Sequence, residues 1–538
     1  MRLANRFSLV LACVFANCIS LTVQSDDLLV TIGKETTRIT SPLKPDGYPD
    51  YIAALNQQLR KDVTPKNNLA VGIWKITGPI ELSDEIRPLF FNALGMDDQP
   101  VDGDYLVDFY NYYSEYLGQY DADAGISLDE FEQKQMQYVD AYDHAVNKIW
   151  SKETHPEVFD WREANLNHIQ DILKAIESRD HYFNPYVLSP NKQADGEFVP
   201  ELISILLPGV QRSRELARTL AIDAHYHLGL GDIDGAMANS IAIHKMGRLT
   251  AKGGTLVEGL VGIAISGIAS SVDRKIIASS KISTEQLKEH LARLQSLPTM
   301  PSMVDKINIT ERYMYLDTTI AVAKYGPSAL NITTGSAAKP NPIVKQVANL
   351  LSSSFIDWDK VMKNGNYWYD EFYRVGMIKD IPTRNRAYEE LEQRLESVVE
   401  DSWEPATLVK KVLLSGKSLP ELTSDQMSYV MVSLLLPALG AALSAEERAL
   451  MTNEVSQVAI SLELFHHANS RYPSNLAALK GTYIKGLPID RFSGKGLQYS
   501  QTDKGYLLYS FGRDQKDNQG NTFTDSVPGD DISIRRER

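Results

Sequence analysis

The stretch from Glu446 to the C-terminus constrains the fold most tightly, because the spacing of its apolar residues changes from helical to strand-like. Met451, Val455, Val458, Leu462 and Phe465 recur at three- and four-residue steps, which puts them on one face of a long helix. The pattern stops at Tyr472-Pro473. Leu487-Pro488-Ile489-Asp490 follows, and then short β-prone runs at Leu497–Tyr499, Tyr506–Ser510 and Ile532–Ile534, the first two joined by a Gly-containing turn. A single apolar stripe and three short strands can bury one another only by stacking helix on sheet. Residues 446–538 are expected to form a small α+β module, a long helix on a short antiparallel sheet.

Upstream the chain reads as mainly α, an irregular helical-hairpin bundle from about residue 50 to 445. With 538 residues, more than one core is expected. The divisions drawn from composition are 26–200, rich in Tyr and acids, 201–300, made of hairpins, and 301–445, helical with an exposed loop near 326–342. Val30–Ile39 is β-branched and suits a strand or an extended arm, ahead of a helix from about Asp50 to Arg60. Between Asp104 and Trp150, aromatics at three- and four-residue spacing point to helices that pack rings against a core and leave acids in water. An aromatic ligand-binding platform is the alternative there.

Arg212–Leu228, a Gly229-Leu-Gly231-Asp232 turn and Gly235–Leu249 make a helical hairpin, with Ala217, Ala221, Ala224, Gly229, Ala236 and Ala242 where close approach needs small residues. The pair resembles one tetratricopeptide-type hairpin, without a repeat at that family's period. Thr255–Val272 is apolar except for Glu258 and carries Gly259, Gly262, Ser266 and Ala269 on one face. A buried core helix is expected over a membrane span. Gln426–Leu443 is uncharged and contains Pro437, which suits a kinked buried helix.

A net charge of −14 argues against nucleic acid as a partner, since phosphate neutralisation needs Lys and Arg. The basic start at Arg2 and Arg6, the apolar run Phe7–Val23 and Ser25 fit a signal peptide over residues 1–25; an uncleaved anchor is the alternative. Export to the periplasm, cell envelope or medium follows from that reading. Both cysteines, Cys13 and Cys18, lie in this segment, so cleavage leaves a chain without thiols and moves the charge to −16.

No catalytic constellation emerges. Gly416-Lys417-Ser418 lacks the first glycine of a phosphate-binding loop because Lys411 stands there, and neither His-Glu-x-x-His nor Gly-x-Ser-x-Gly occurs. His225 and His227, like His466 and His467, diverge on a helix, while Asp223 and His227 are spaced for a hydrogen-bonded pair. Asp121-Ala-Asp123-Ala-Gly125 approaches a calcium loop one residue short, and Ser127 with Glu130 suits a helix cap instead. The acidic loop after the second strand is the one candidate metal site. Its oxygen donors are Asp514, Asp517, Asn518, Asp530 and Asp531, with Asp525 nearby, and Gly512, Gly520 and Gly529 allow a tight wrap suited to calcium. A solvated acidic loop without metal is the alternative.

The helix, Tyr472-Pro473, Leu487-Pro488-Ile489-Asp490, Ser510-x-Gly512-x-Asp514 and Asp531-Ile532 together resemble the soluble half of the type II secretion major pseudopilin, over about a fifth of the chain. That resemblance implies a calcium-binding loop in which Asp514 and Asp531 match family positions, whereas the longer middle of the loop departs from the pattern. The family's Phe-Thr-Leu-x-Glu helix is not found. Over much of its length the chain also resembles large, uncharacterised exported bacterial proteins that pair a helical body with this ending. The expected role is a non-catalytic protein that contacts other envelope or secreted proteins. An exported hydrolase built from scattered carboxylates, His and Tyr is the alternative.

Overall fold

The computed structural model describes residues 28–117, 127–188, 201–205, 207–334, 347, 351, 356–400, 416–435 and 437–537. The expected signal segment, Asp121 and Asp123 of the calcium-like stretch, and residues 335–342 of the expected loop lie outside them. The chain is mainly α with one small sheet. Helices α1 (Tyr51–Leu59), α2 (Leu69–Thr77), α3 (Arg87–Leu94), α4 (Phe109–Tyr112), α5 (Ser114–Leu117), α6 (Leu128–Asn147), α7 (Pro156–Ala164) and α8 (Leu166–Ser178) come first. The hairpin α9 (Val210–Leu230) and α10 (Ile233–Thr250) follows, then α11 (Leu256–Ala278), α12 (Thr284–Ser296), α13 (Met303–Lys306) and α14 (Arg312–Tyr325). Helices α15 (Trp358–Gly376), α16 (Ile381–Glu400), α17 (Leu419–Leu435) and α18 (Pro437–Asn469) complete the body.

Local chemistry sets most of these ends. Asp50 caps α1 by accepting the Ala53 N–H at 2.8 Å, and Ser127 Oγ caps α6 through Glu130 N–H at 3.2 Å. The α9–α10 turn is Gly231 at φ 79° followed by Asp232, whose carboxylate accepts the Gly235 N–H. Thr255 and Glu258 form a capping box that opens α11. Glu258, the lone acid of the Thr255–Val272 run, is therefore a first-turn cap.

Helix α11 is long and apolar enough to cross a membrane, yet 61% of its most apolar window is buried, and it packs against α9, α10 and α18. Its small-residue face meets α10 where Gly262 faces Gly247. A Cβ on Gly262 would lie 2.4 Å from the Gly247 carbonyl oxygen, so the two backbones touch there.

Strands β1 (Gln498–Thr502), β2 (Gly505–Ser510) and β3 (Ile532–Glu537) form an antiparallel sheet in that order, with Thr502 opposite Gly505 and Leu508 opposite Ile534. Helix α18 covers β2 and β3 and also packs on α11 and α12. It starts at Pro437 rather than near Glu446, so the uncharged run Gln426–Leu443 is divided between α17 and α18. At 33 residues it is about 50 Å long. Its Met451–Leu464 portion belongs to a core shared with α2, α8–α12 and the sheet. Ala442 and Leu443 belong to a second core with α1 and α13–α17. Packing thus joins stretches that composition separates at 300 and 445. The segment Val30–Ile39 forms no strand. It is an arm bent by turns and docked on α15, where Asn366 Nδ2 donates to the Glu35 and Thr36 carbonyls at 2.9 and 2.7 Å. The tyrosine-rich region packs Phe109, Tyr138, Tyr142 and Trp161 in a third, smaller cluster.

Candidate functional site: the C-terminal acidic loop

Asp490 fixes the root of the loop. Proline and the turn deliver its carboxylate into the module, where it is 2% exposed and accepts four hydrogen bonds. The donors are Phe492 N–H (3.0 Å) and Ser510 Oγ (2.8 Å) on Oδ1, and Ser493 Oγ (2.7 Å) and Phe511 N–H (3.1 Å) on Oδ2. One carboxylate thereby clamps the Leu487–Asp490 turn to the end of β2, the point from which the acidic loop departs. Arg491 ties the same turn to α18 through Glu447 (3.0 Å) and Glu454 (2.6 Å).

Within the loop the five expected donors fall into two sets. Asn518 and Asp530 act as braces. Asn518 Oδ1 accepts the Asp530 N–H at 2.6 Å, Asp530 Oδ1 pairs with Arg448 at 2.8 Å, and Asp530 Oδ2 accepts the Asp514 N–H at 3.1 Å. Asp514, Asp517 and Asp531 are electrostatically coupled. Asp531 is fully buried; its Oδ2 accepts the Gly520 N–H at 2.7 Å, and its Oδ1 has no hydrogen-bond partner among the described residues. Burial raises the Asp531 pKa above the usual carboxylate range, with Asp517 and Asp514 adding repulsion. Asp517 Oδ1 accepts from Gln519 N–H (2.8 Å) and the Tyr509 hydroxyl (3.0 Å). Asp525 accepts from Thr522 and closes a local turn. Among the described residues no group of three His, Cys, Asp or Glu side chains stands ready to hold a metal. The donor set fits calcium in part: the orphaned Asp531 oxygen and its acidic neighbours suit a divalent cation, while Arg448 already neutralises Asp530.

Three further clusters of ionisable groups lie inside the helical body. Lys306, 6% exposed, ends α13 just before a π-helical turn at Ile307–Glu311 and donates to the Gly253 carbonyl. Burial lowers its pKa to about 8 against the pull of Glu258 and Glu446. Burial likewise pushes Glu311 and Glu446 up to about 7. Glu258 Oε2 accepts from the Tyr186 hydroxyl at 2.6 Å and from Thr255. In the second cluster Asp273 accepts from His244 Nε2 (2.8 Å), His290 Nε2 (2.9 Å) and the Ser240 hydroxyl. Burial opposes ionisation of Asp273, and these donors nonetheless hold it far below the usual range. In the third, Arg162, Asn239 and His227 surround buried Asp223, the His227 contact being 3.3 Å. The spacing of Asp223 and His227 made that pair visible in sequence. Lys306 and Asp273 were not, although Ser240, His244 and Arg248 at four-residue steps mark a polar stripe on α10. His225 is buried and bonded to the Ala145 carbonyl at 2.9 Å, turned away from His227.

Lys306, Glu258, His244, Asp273 and His290 are all more than nine-tenths buried, so the first two clusters brace helices from inside the body, whereas His227 of the third is partly exposed. No protein-family model matches the chain, and neither a curated protein nor a solved structure matches it.

Proposed function

We propose that this is an exported, non-catalytic protein of the cell envelope or its surroundings, whose helical body and C-terminal module contact other proteins. Its C-terminal loop, in this reading, is stiffened by calcium held through Asp514, Asp517 and Asp531, as the resemblance to the major pseudopilin soluble domain suggests. The observation that carries the reading is the surface of the C-terminal module, where Ile489, Phe523 and Val527 are 63%, 65% and 68% exposed on its turn and acidic loop. Large apolar side chains on polar loops lose water contact when a partner covers them, a recurrent feature of interface centres. Burial of the strongly perturbed Lys, Glu and His groups also favours a structural role for them over hydrolysis.

Photo-crosslinkers placed at Ile489, Phe523 and Val527 test the docking role in envelope extracts. A discrete adduct absent from a probe placed at Lys288 supports it, and identical background from all positions refutes it. The loop is tested separately by calcium titration of the full chain. A rise in Tm that D531N abolishes is expected; no shift at millimolar calcium removes the metal from the proposal.

A further inference from the structure

A cleft of about 90 Å³ lies between α4, α6, α7 and α9, away from the C-terminal module. Its walls are Phe109, Tyr142 and Trp161, with Leu216 in the floor and the exposed Tyr110 ring at the mouth. The rings hold one another in place: Phe109 lies 5.0 Å from Tyr142 and 5.8 Å from Trp161, and Tyr110 lies 5.7 Å from Tyr142. Trp161 Nε1 donates to the Val107 carbonyl at 2.8 Å and anchors the segment that leads into α4. The cavity is a built part of the fold.

The polar groups facing it are unequal. Asp108 caps α4 through the Asn111 N–H and side-chain amide, at 3.0 and 2.5 Å. Arg212 is divided between Glu81 (2.7 Å) and Glu215 (3.0 Å). These three are committed. Arg218 is different, because among the described residues its guanidinium has neither a hydrogen bond nor an ion pair. The Tyr110 and Tyr142 hydroxyls are likewise without a hydrogen-bond partner among the described residues; both phenols lie within electrostatic reach of Arg218 and of Asp108, Tyr110 also of Asp143 and Tyr142 also of Glu215. The uncommitted groups of the cleft are thus one guanidinium and two O–H donors. Guanidinium and phenol donors select an anion with planar or near-planar oxygens, and the aromatic walls select an apolar tail behind it.

We propose that this cleft binds a short-chain monocarboxylate, its carboxylate on Arg218 and the Tyr110 and Tyr142 hydroxyls, its alkyl tail against Phe109, Trp161 and Leu216. The volume admits a chain of roughly two to four carbons and is well below the ~300–1,000 Å³ of drug-sized pockets. So small a ligand binds weakly, with Kd on the order of 1 mM.

Calorimetry or ligand-observed NMR on the full chain, with acetate, butyrate, inorganic phosphate and tetramethylammonium as probes, tests the assignment. Saturable binding is expected for butyrate, severalfold tighter than for acetate, with phosphate and tetramethylammonium weaker still. R218Q should reduce butyrate affinity at least tenfold and leave Tm unchanged, since Arg218 has no partner to lose. Y142F should reduce it a few-fold and likewise spare Tm. Binding of butyrate that R218Q does not weaken, preference for phosphate or tetramethylammonium over butyrate, or no saturation at tens of millimolar overturns the proposal.

Discussion

One substitution made at two places on α11 should change stability in opposite directions. At Gly262 a Cβ would sit 2.4 Å from the Gly247 carbonyl oxygen, 2.7 Å from Ala251 Cβ and 2.8 Å from Ala251 N. All three distances are shorter than real Cβ contacts, and two of the obstacles are backbone, so no side-chain rotation relieves them. Accommodating Ala requires α10 and α11 to separate, which costs about 2–3 kcal/mol by analogy with overpacked cores. Replacing helical Gly by Ala returns about 1 kcal/mol of intrinsic propensity. G262A should therefore destabilise by about 1–2 kcal/mol. Gly267, five residues on, is exposed and a Cβ there meets nothing within 4 Å, so only the propensity gain applies. G267A should stabilise by about 0.5–1 kcal/mol. Urea unfolding followed by far-UV circular dichroism, with amide exchange on α10 and α11, measures both. If G262A equals or exceeds the parent, or if both variants shift the same way, the backbone contact is not what holds these helices together.

Other groups yield separate outcomes. Burial takes His225 from 6.5 down to about 4, so its stabilising contribution is present above pH 6.5 and is lost as pH falls towards 4. H225Q should flatten that acid loss by up to about 3 kcal/mol in pH-dependent denaturation. Glu446 behaves oppositely: raised from 4.5 to about 7, it contributes below pH 4.5 and loses that contribution as pH rises through 7. Because Glu311 is raised to about 7 as well, E446Q should shrink rather than abolish the parent's decline between pH 5 and 7.5, and an unchanged profile would disprove the assignment. D490A strips the acceptor from four donors and should cost about 3–5 kcal/mol, read as early protease cleavage between residues 470 and 537; D490N should cost less than half as much.

The sequence carries this fold unevenly. The stripe from Met451 to Phe465, the small face of α11 and the three strands are legible because each is a short-range periodicity with one burial solution. The turn motif at Leu487–Asp490 is also legible, but its physical purpose is not, since Ser510 and Phe511 reach Asp490 from twenty residues away. Lys306 is hidden for the same reason. Gly253 in the turn before α11, Glu258 at the start of α11 and Glu446 on α18 surround it, and no local pattern announces their meeting with Lys306. Glu258 looks anomalous inside an apolar run, although Thr255-x-x-Glu258 is the pattern of a capping box. The acidic loop is legible as composition only. Which acids brace it and which repel one another depends on Arg448, a residue of α18 more than sixty positions upstream.

Three consecutive residues of α18 connect the body to that loop. Glu446 Oε2 accepts the Met303 N–H at 3.2 Å, Glu447 pairs with both Arg384 and Arg491, and Arg448 holds Asp530 at 2.8 Å beneath the Phe523 ring, 4.7 Å from its centroid. Arg448 therefore neutralises Asp530 from the helix side, and under the calcium proposal it competes for that acid with a cation on the loop side. The pair is partly exposed, with side-chain accessibilities of 32% and 16%, so R448Q should lower stability by only about 1 kcal/mol in chelator. With Arg448 gone, Asp530 joins Asp514, Asp517 and Asp531 as an uncompensated carboxylate, and the attraction of the loop for a divalent cation increases. Calcium should consequently raise the Tm of R448Q more than that of the parent and bring the two together. An equal calcium increment in both proteins, measured by thermal scanning in matched chelator and calcium buffers, would mean that Asp530 and the coupled acids do not share a cation.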